Sequence, residues 1–195
     1  IAIKQKPRTQ FGLKQGVVTT TQALSGAGYP GVASLDIIDN VIPFISGEED
    51  KMETEALKIL GTYTGRGVQN ADFQISASCN RVHVKDGHLE SIFVKLDQDP
   101  SLSQIEAAFE DFKGAPQLLK LPSAPVNPII VRHEKNRPQP RFDRDSGCGM
   151  NVVVGRIRKD PIMTFKYMCL GHNTVRGAAG GGILSAELYV ATGLA

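Results

Sequence analysis

The sequence predicts an α+β fold: a mixed, largely antiparallel sheet with helices packed on one face. Two observations carry this. Short β-branched runs recur along the 195 residues, with helix-forming segments between them. Strands and helices do not alternate regularly, as an all-parallel doubly wound sheet would require. The length fits one domain, residues 1–195, with a sizeable core.

The elements follow in order. Gly16–Gln22 (GVVTTTQ) predicts a strand running into a glycine loop, Ser25–Gly31. Ser34–Ile45 predicts a short helix and then an extended run about Pro43. Glu48–Leu60 is made of helix formers, with an acidic first turn and Gly61 as its stop. Phe73–Val84 and Leu89–Leu96 predict two strands, and Asp86-Gly87 predicts a two-residue hairpin turn between them. Ser103–Lys113 predicts a helix, with a capping box from Ser103 and Glu106 and Gly114 at its end. Ala124–Val131 reads as a proline-punctuated strand and Arg132–Gly149 as a charged loop. Asn151–Arg158 and Ile162–Leu170 predict strands, the second with Met163, Phe165, Tyr167 and Cys169 on one face. Asn173–Gly182 is a second glycine loop, opening a C-terminal helix, Ile183–Ala191.

Composition excludes several classes. A net charge of +2, with no basic stripe, argues against a nucleic-acid partner. No apolar run approaches the ~20 residues of a membrane span, and no signal peptide is visible. The three cysteines, Cys79, Cys148 and Cys169, are widely spaced without CxxC, which argues against a disulfide scaffold or a zinc site and suits a reducing cytoplasm.

Several constellations could carry chemistry. With Asp86-Gly87 as the turn, Arg81, His83, Lys85 and His88 share one face. That face is either solvated charge or a site for an anion. Arg81 could grip a carboxylate through two parallel N–H bonds. His88 could exchange a proton near neutral pH. In this register ~13 Å of strand separates the two. Glu55 and Lys58 lie three apart on one helix face: a surface pair worth ~0.3 kcal/mol, or an acid for an ammonium beside an amine for a phosphate or carboxylate. Neither glycine loop matches GxGxxG in a βαβ unit, so a complete dinucleotide site is not expected. Asn173 and Thr174, before the second loop, could touch a cofactor bound elsewhere. Cys79 reads as a small buried hydrophobe, and Cys148 and Cys169 have no acid–base partner in view, so no residue is a convincing nucleophile.

Together, TTTQALSGAGYPGV (19–32), DIIDNVIPFISGEEDKMETEALKILG (36–61), SCNRVHVKDGH (78–88), RPQPRFDRDSGCGMNVVVGRIR (137–158) and HNTVRGAAGGGILSAEL (172–188) resemble the aspartate-semialdehyde dehydrogenases of archaeal and fungal type. The likeness is to their substrate-binding, dimerising C-terminal domain, which has the glyceraldehyde-3-phosphate dehydrogenase-like fold. The resemblance implies reduction of L-aspartyl 4-phosphate to L-aspartate 4-semialdehyde with NADP as cofactor, through a cysteine thioester, in lysine, threonine and methionine biosynthesis. It implies that Gln22 orients the acyl group and His88 is the general acid/base. Glu55 would bind the substrate ammonium, Lys58 the phosphate and Arg81 the α-carboxylate. Asn173, Thr174 and Gly177 would touch NADP. The family's nucleophilic cysteine and its Rossmann part would lie upstream of Ile1, so this chain alone is expected to be inactive. A homodimer or homotetramer is implied, with no metal. Two alternatives are a sibling acyl-phosphate reductase of the N-acetylglutamyl-phosphate type and a non-catalytic dimerisation module. An acetylated nitrogen carries no charge and would leave Glu55 without a purpose, so the presence of Glu55 favours a free amino group.

Overall fold

The computed structural model describes residues 10–193. Its main sheet has seven strands: β1 (Leu13–Gln22), β2 (Val41–Ile42), β5 (Gln74–Val82), β6 (His88–Leu96), β7 (Ile129–Arg132), β8 (Val152–Lys159) and β9 (Phe165–Gly171). Their spatial order is β2-β5-β1-β6-β9-β8-β7, and a separate ribbon pairs β3 (Thr62–Tyr63) with β4 (Val68–Gln69). β1/β5 and β7/β8 are parallel, while the other neighbours in the sheet are antiparallel. The mixed, largely antiparallel expectation therefore holds.

The expected hairpin does not form. β5 and β6 flank β1, which pairs with both: Thr20 stands opposite Cys79 on one side and Glu90 on the other. At about 4.8 Å per strand the two arms lie roughly 10 Å apart, too far to pair directly. Asp86-Gly87 belongs to a connection that crosses the end of β1. That connection is held by Leu24 N–H to Val84 O (2.8 Å) and Ser25 N–H to Lys85 O (3.1 Å). A local turn signal is outweighed by β1, whose β-branched residues pair along both edges.

Helices with both ends among the described residues are α1 (Ser34–Ile37), α2 (Glu48–Ile59), α3 (Leu102–Glu110), α4 (Ala115–Leu118), α5 (Pro140–Asp143) and α6 (Gly180–Ala191). The capping box of α3 sits two residues earlier than expected, with Ser101 and Gln104 exchanging hydrogen bonds. The segment 124–131 is strand only from Ile129, and Arg132–Gly149 contains α5. The second glycine loop is a π-helical turn, Val175–Ala179, that runs directly into α6.

The helices α2 and α3 cover one sheet face. Ile105, Ala108 and Phe109 of α3 pack in one cluster with Val18, Ile92, Val94, Phe165 and Tyr167. α2 docks on β5 through its acids: Glu53 accepts from Ala77 N–H (2.9 Å) and Glu49 from Cys79 N–H (2.8 Å). Short β2 pairs only with Val82 and Arg81, so these carboxylates satisfy donors that the sheet leaves open. On the opposite face, Val153 and Leu170 are buried under the segment around α5. A Cβ on Gly155 would lie 2.5 Å from Arg137 O. That segment is organised by Asp143, 2% exposed, which accepts from Arg137, from Arg132 (3.4 Å) and from Gln139 N–H (2.6 Å). Further along that face Val17, Ser76 and Ser78 are exposed and Thr19, Ser91 and Phe93 are half-buried.

Candidate active site

The central strands bring three polar side chains together at one end of the sheet. Gln22 ends β1 and stands opposite Arg81 of β5. Leu89 pairs with Thr21, so His88 of β6 reaches the same level from the other side. Sequence spacing along an assumed hairpin kept Arg81 and His88 apart; insertion of β1 between their strands brings them together. Gln22 is 5% and Arg81 6% exposed.

Backbone between the strands fixes both groups. Arg81 Nη1 donates to Ala23 O at 2.7 Å. Ala23 N–H donates to His88 Nδ1 at 3.2 Å. Nδ1 is then the acceptor, which assigns the proton of the neutral ring to Nε2. One turn of 3-10 helix, Leu24–Ala27, follows. Here a glycine is required: a Cβ on Gly26 would lie 2.9 Å from Arg81 Nη1 and 3.0 Å from His88 Cε1.

The first residue of α2, Glu48, completes the group. Its Oε2 accepts from Gln22 Nε2 at 3.4 Å and its Oε1 from Lys51 Nζ at 3.3 Å. Glu48, Gln22, Gly26, Ser46, Arg81 and His88 line a cavity of about 470 Å³. Burial pushes the His88 pKa down to about 4; the Arg81 charge adds to this and Glu48 opposes it. Burial also lowers the Arg81 pKa, against the pull of Glu48. The cavity thus offers a guanidinium, a carboxylate and a neutral imidazole to one small molecule.

His88 also borders a second cavity of about 970 Å³, walled by Glu90, Tyr167, Asn173, Arg176 and Gly177. Burial lowers the Arg176 pKa. No atom approaches within 4 Å of the Cβ position of Gly182, which also lines this space.

Several expected residues stand elsewhere. Glu55 and Lys58 are exposed and do not line the His88 cavity; Glu55 faces a groove along α2 with Lys51 and Met52. The reason is a repeat. Glu-x-x-Lys occurs twice on this helix, at 48–51 and 55–58, seven residues or about 10 Å apart. Periodicity gives both the same face; docking of Glu49 and Glu53 on β5 places the first copy at the cavity. The signal missed in the sequence was the acid directly after Gly47, at the helix start. His83 and Lys85, expected on the cationic face, are exposed and line neither cavity. Thr174 is exposed, shares a hydrogen bond with His172 Nδ1 (3.2 Å), and does not line the larger cavity as Asn173 and Gly177 do. Cys79 is 1% exposed beside Met52, and burial pushes its thiol pKa up, as befits a packing residue. Among the described residues no cluster of three or more His, Cys, Asp or Glu could hold a metal, and no helix is long and apolar enough to cross a membrane.

The family model "Semialdehyde dehydrogenase, dimerisation domain" matches residues 6–176. An aspartate-semialdehyde dehydrogenase of Archaeoglobus fulgidus is 55% identical over 190 residues, which cover 97% of this chain and 54% of that relative. A malonyl CoA reductase (NADP) of Metallosphaera sedula is 45% identical over 188 residues, 94% of this chain and 52% of that relative. The crystal structure of aspartate semialdehyde dehydrogenase with NADP from Candida albicans matches with a TM-score of 0.89 at 41% identity. That match covers 99% of this chain and 55% of that one. The chain spans about half the length of the curated relatives it matches.

Proposed function

This chain belongs to the semialdehyde dehydrogenase dimerisation-domain family, and on that premise we propose that residues 1–195 are the substrate-binding and dimerising part of an NADP-dependent aspartate-semialdehyde dehydrogenase. The observation that carries this is the convergence of Gln22, Glu48, Arg81 and His88 on one cavity, with His88 shared by a second, larger one. L-Aspartyl 4-phosphate and its semialdehyde carry one ammonium and one α-carboxylate beside the reacting carbonyl. Arg81 meets the carboxylate, Glu48 the ammonium, and Gln22 the acyl oxygen. Lys51, held 3.3 Å from Glu48, meets the phosphate in the role the sequence reading gave to Lys58.

His88 moves the proton. Its Nδ1 is committed to Ala23 N–H, so Nε2 exchanges hydrogen with the reacting group. A neutral ring at rest, held so by burial and Arg81, takes up a proton from a nucleophile and returns it to the product. Cys79, Cys148 and Cys169 do not line the Arg81 cavity. Cys169 borders the larger cavity that His88 shares, but it is buried at 7% exposure. We place the nucleophile in the remainder of the parent enzyme, so that this chain by itself would not turn over.

The larger cavity fits the nicotinamide end of NADP: its wall combines open glycine backbone at Gly177 and Gly182 with the amide of Asn173 and the guanidinium of Arg176. When bound there, NADP supplies the hydride. The exposed sheet face around Val17, Ser76 and Ser78 is proposed as the contact between two copies in a homodimer.

One observation bears on sibling activities. Substrates without a free amino group, such as an N-acetylated acyl phosphate or a malonyl thioester, would offer the Glu48 carboxylate no ammonium and leave it with Lys51 and Gln22 alone. Calorimetric titration of the chain with L-aspartate 4-semialdehyde tests the reading. Binding weakened at least tenfold by Glu48→Gln and unchanged by Glu55→Gln is expected. Equal affinity for the N-acetylated semialdehyde, or insensitivity to Glu48→Gln, would refute it.

A further inference from the structure

We propose that Asn173 is a positioning residue whose side-chain amide ties the Ser25 loop to the Gly87 backbone and so sets Arg81 and His88 relative to one another. The proposal rests on the reading of His88 as the acid–base group and gives Asn173 a task beyond cofactor contact. Asn173 Nδ2 donates to Ser25 Oγ at 2.8 Å, and Asn173 Oδ1 accepts from Gly87 N–H at 2.8 Å. One planar amide thereby joins segments 148 and 86 residues away in the chain.

Both tied points act on the site. Ser25 precedes Gly26, where a Cβ would lie 2.9 Å from Arg81 Nη1 and 3.0 Å from His88 Cε1, so the loop packs close to both groups. Gly87 precedes His88 directly. Asn173 is itself anchored: His172 is buried, its carbonyl accepts from Gly177 N–H (3.0 Å), and its ring lies between Thr174 and Asp145. The turn at Asp86 is steadied by Arg144, whose Nη1 donates to Asp86 O at 3.2 Å. Asn173 does not line the Arg81 cavity, so its effect on a substrate there passes through Ser25 and Gly87. It does line the larger cavity. Whatever occupies that space touches the residue that holds the substrate loop, and occupancy of the two cavities is coupled through it.

The test uses the ligand-free chain and L-aspartate 4-semialdehyde. In Asn173→Ala, amide exchange at Gly87 should quicken at least tenfold and the NMR titration midpoint of His88 should move. Semialdehyde affinity should fall about tenfold, with the exchange of the β8 and β9 core amides unchanged. Asn173→Asp keeps acceptors for both Gly87 N–H and the Ser25 hydroxyl, and should restore Gly87 protection. Ser25→Ala, which needs no refolding of the turn, should loosen residues 25–27 and lower affinity in the same direction. Unchanged Gly87 exchange and unchanged affinity in Asn173→Ala overturn the proposal. Should that variant fail to fold, unchanged affinity in Ser25→Ala overturns it instead. If wild-type chain does not bind the semialdehyde while Gly87 exchange and the His88 midpoint still respond to Asn173→Ala, the substrate reading fails and the clamp stands.

Discussion

Acidification should destabilise this protein through one ring, His88. The folded state holds its pKa at about 4 against 6.5 for a free imidazole. The main cause is burial, and the Arg81 guanidinium, which shares Ala23 as a backbone partner, adds to it; Glu48 pulls weakly the other way. A group whose folded pKa is depressed binds its proton more readily when unfolded. Its contribution is therefore complete above pH 6.5 and is lost as pH falls toward 4. At 1.36 kcal/mol per pH unit that loss is roughly 3 kcal/mol, a large part of a typical domain's stability of about 5–15 kcal/mol. Urea unfolding of wild-type and His88→Asn chains between pH 7 and 4 measures it directly. Wild-type should lose roughly 3 kcal/mol more than the variant across that window. Parallel stability curves, or an NMR titration midpoint for His88 near 6.5, would show that the ring is solvated and remove the reasoning about its neutral resting form.

Other substitutions probe the neighbours of that ring. Arg81→Lys should weaken semialdehyde binding by about tenfold or more, since a point charge cannot make two parallel bonds; calorimetry with unchanged affinity would exclude carboxylate binding there. Gly26→Ala should cost about 1–3 kcal/mol of overpacking and also lower affinity, because the new methyl meets Arg81 and His88 within about 3 Å. Thermal unfolding and calorimetry on the same sample would read both effects. Asp143→Asn should destabilise by about 2 kcal/mol without touching the site, by weakening charge-assisted bonds from Arg137 and Arg132. A loss of ligand affinity in that variant would mean that the change passes from α5 through Arg144 and Asp86 to the Gly87 turn.

Much of this molecule was legible in the residues themselves. Helix α2 followed from its formers, its acidic start and Gly61. The strands followed from β-branched runs and alternation, as Phe165, Tyr167 and Cys169 on one buried face of β9 show. Arg81, His88 and Gln22 were singled out from motif and resemblance, and they share a cavity. These features are local: propensity, periodicity and caps act within a few residues of chain.

What lay beyond reach was decided at long range. Asp86-Gly87 carries a hairpin signal, yet β1, more than sixty residues earlier, takes the place between β5 and β6 because its two edges satisfy both strands at once. Glu48 and Glu55 head identical Glu-x-x-Lys spacings on one helix face, and only the docking of Glu49 and Glu53 onto open N–H groups of β5 puts the first at the cavity and leaves the second in solvent. Asn173 read as a cofactor contact because nothing in its neighbourhood names Ser25 or Gly87 as partners. Local signals in the residues were enough for the long helices and central strands and for the residue types that could meet a charged amino acid. Tertiary structure alone decided which of them meet, since strand insertion, helix docking and cross-chain hydrogen bonds join groups that no short window of sequence contains.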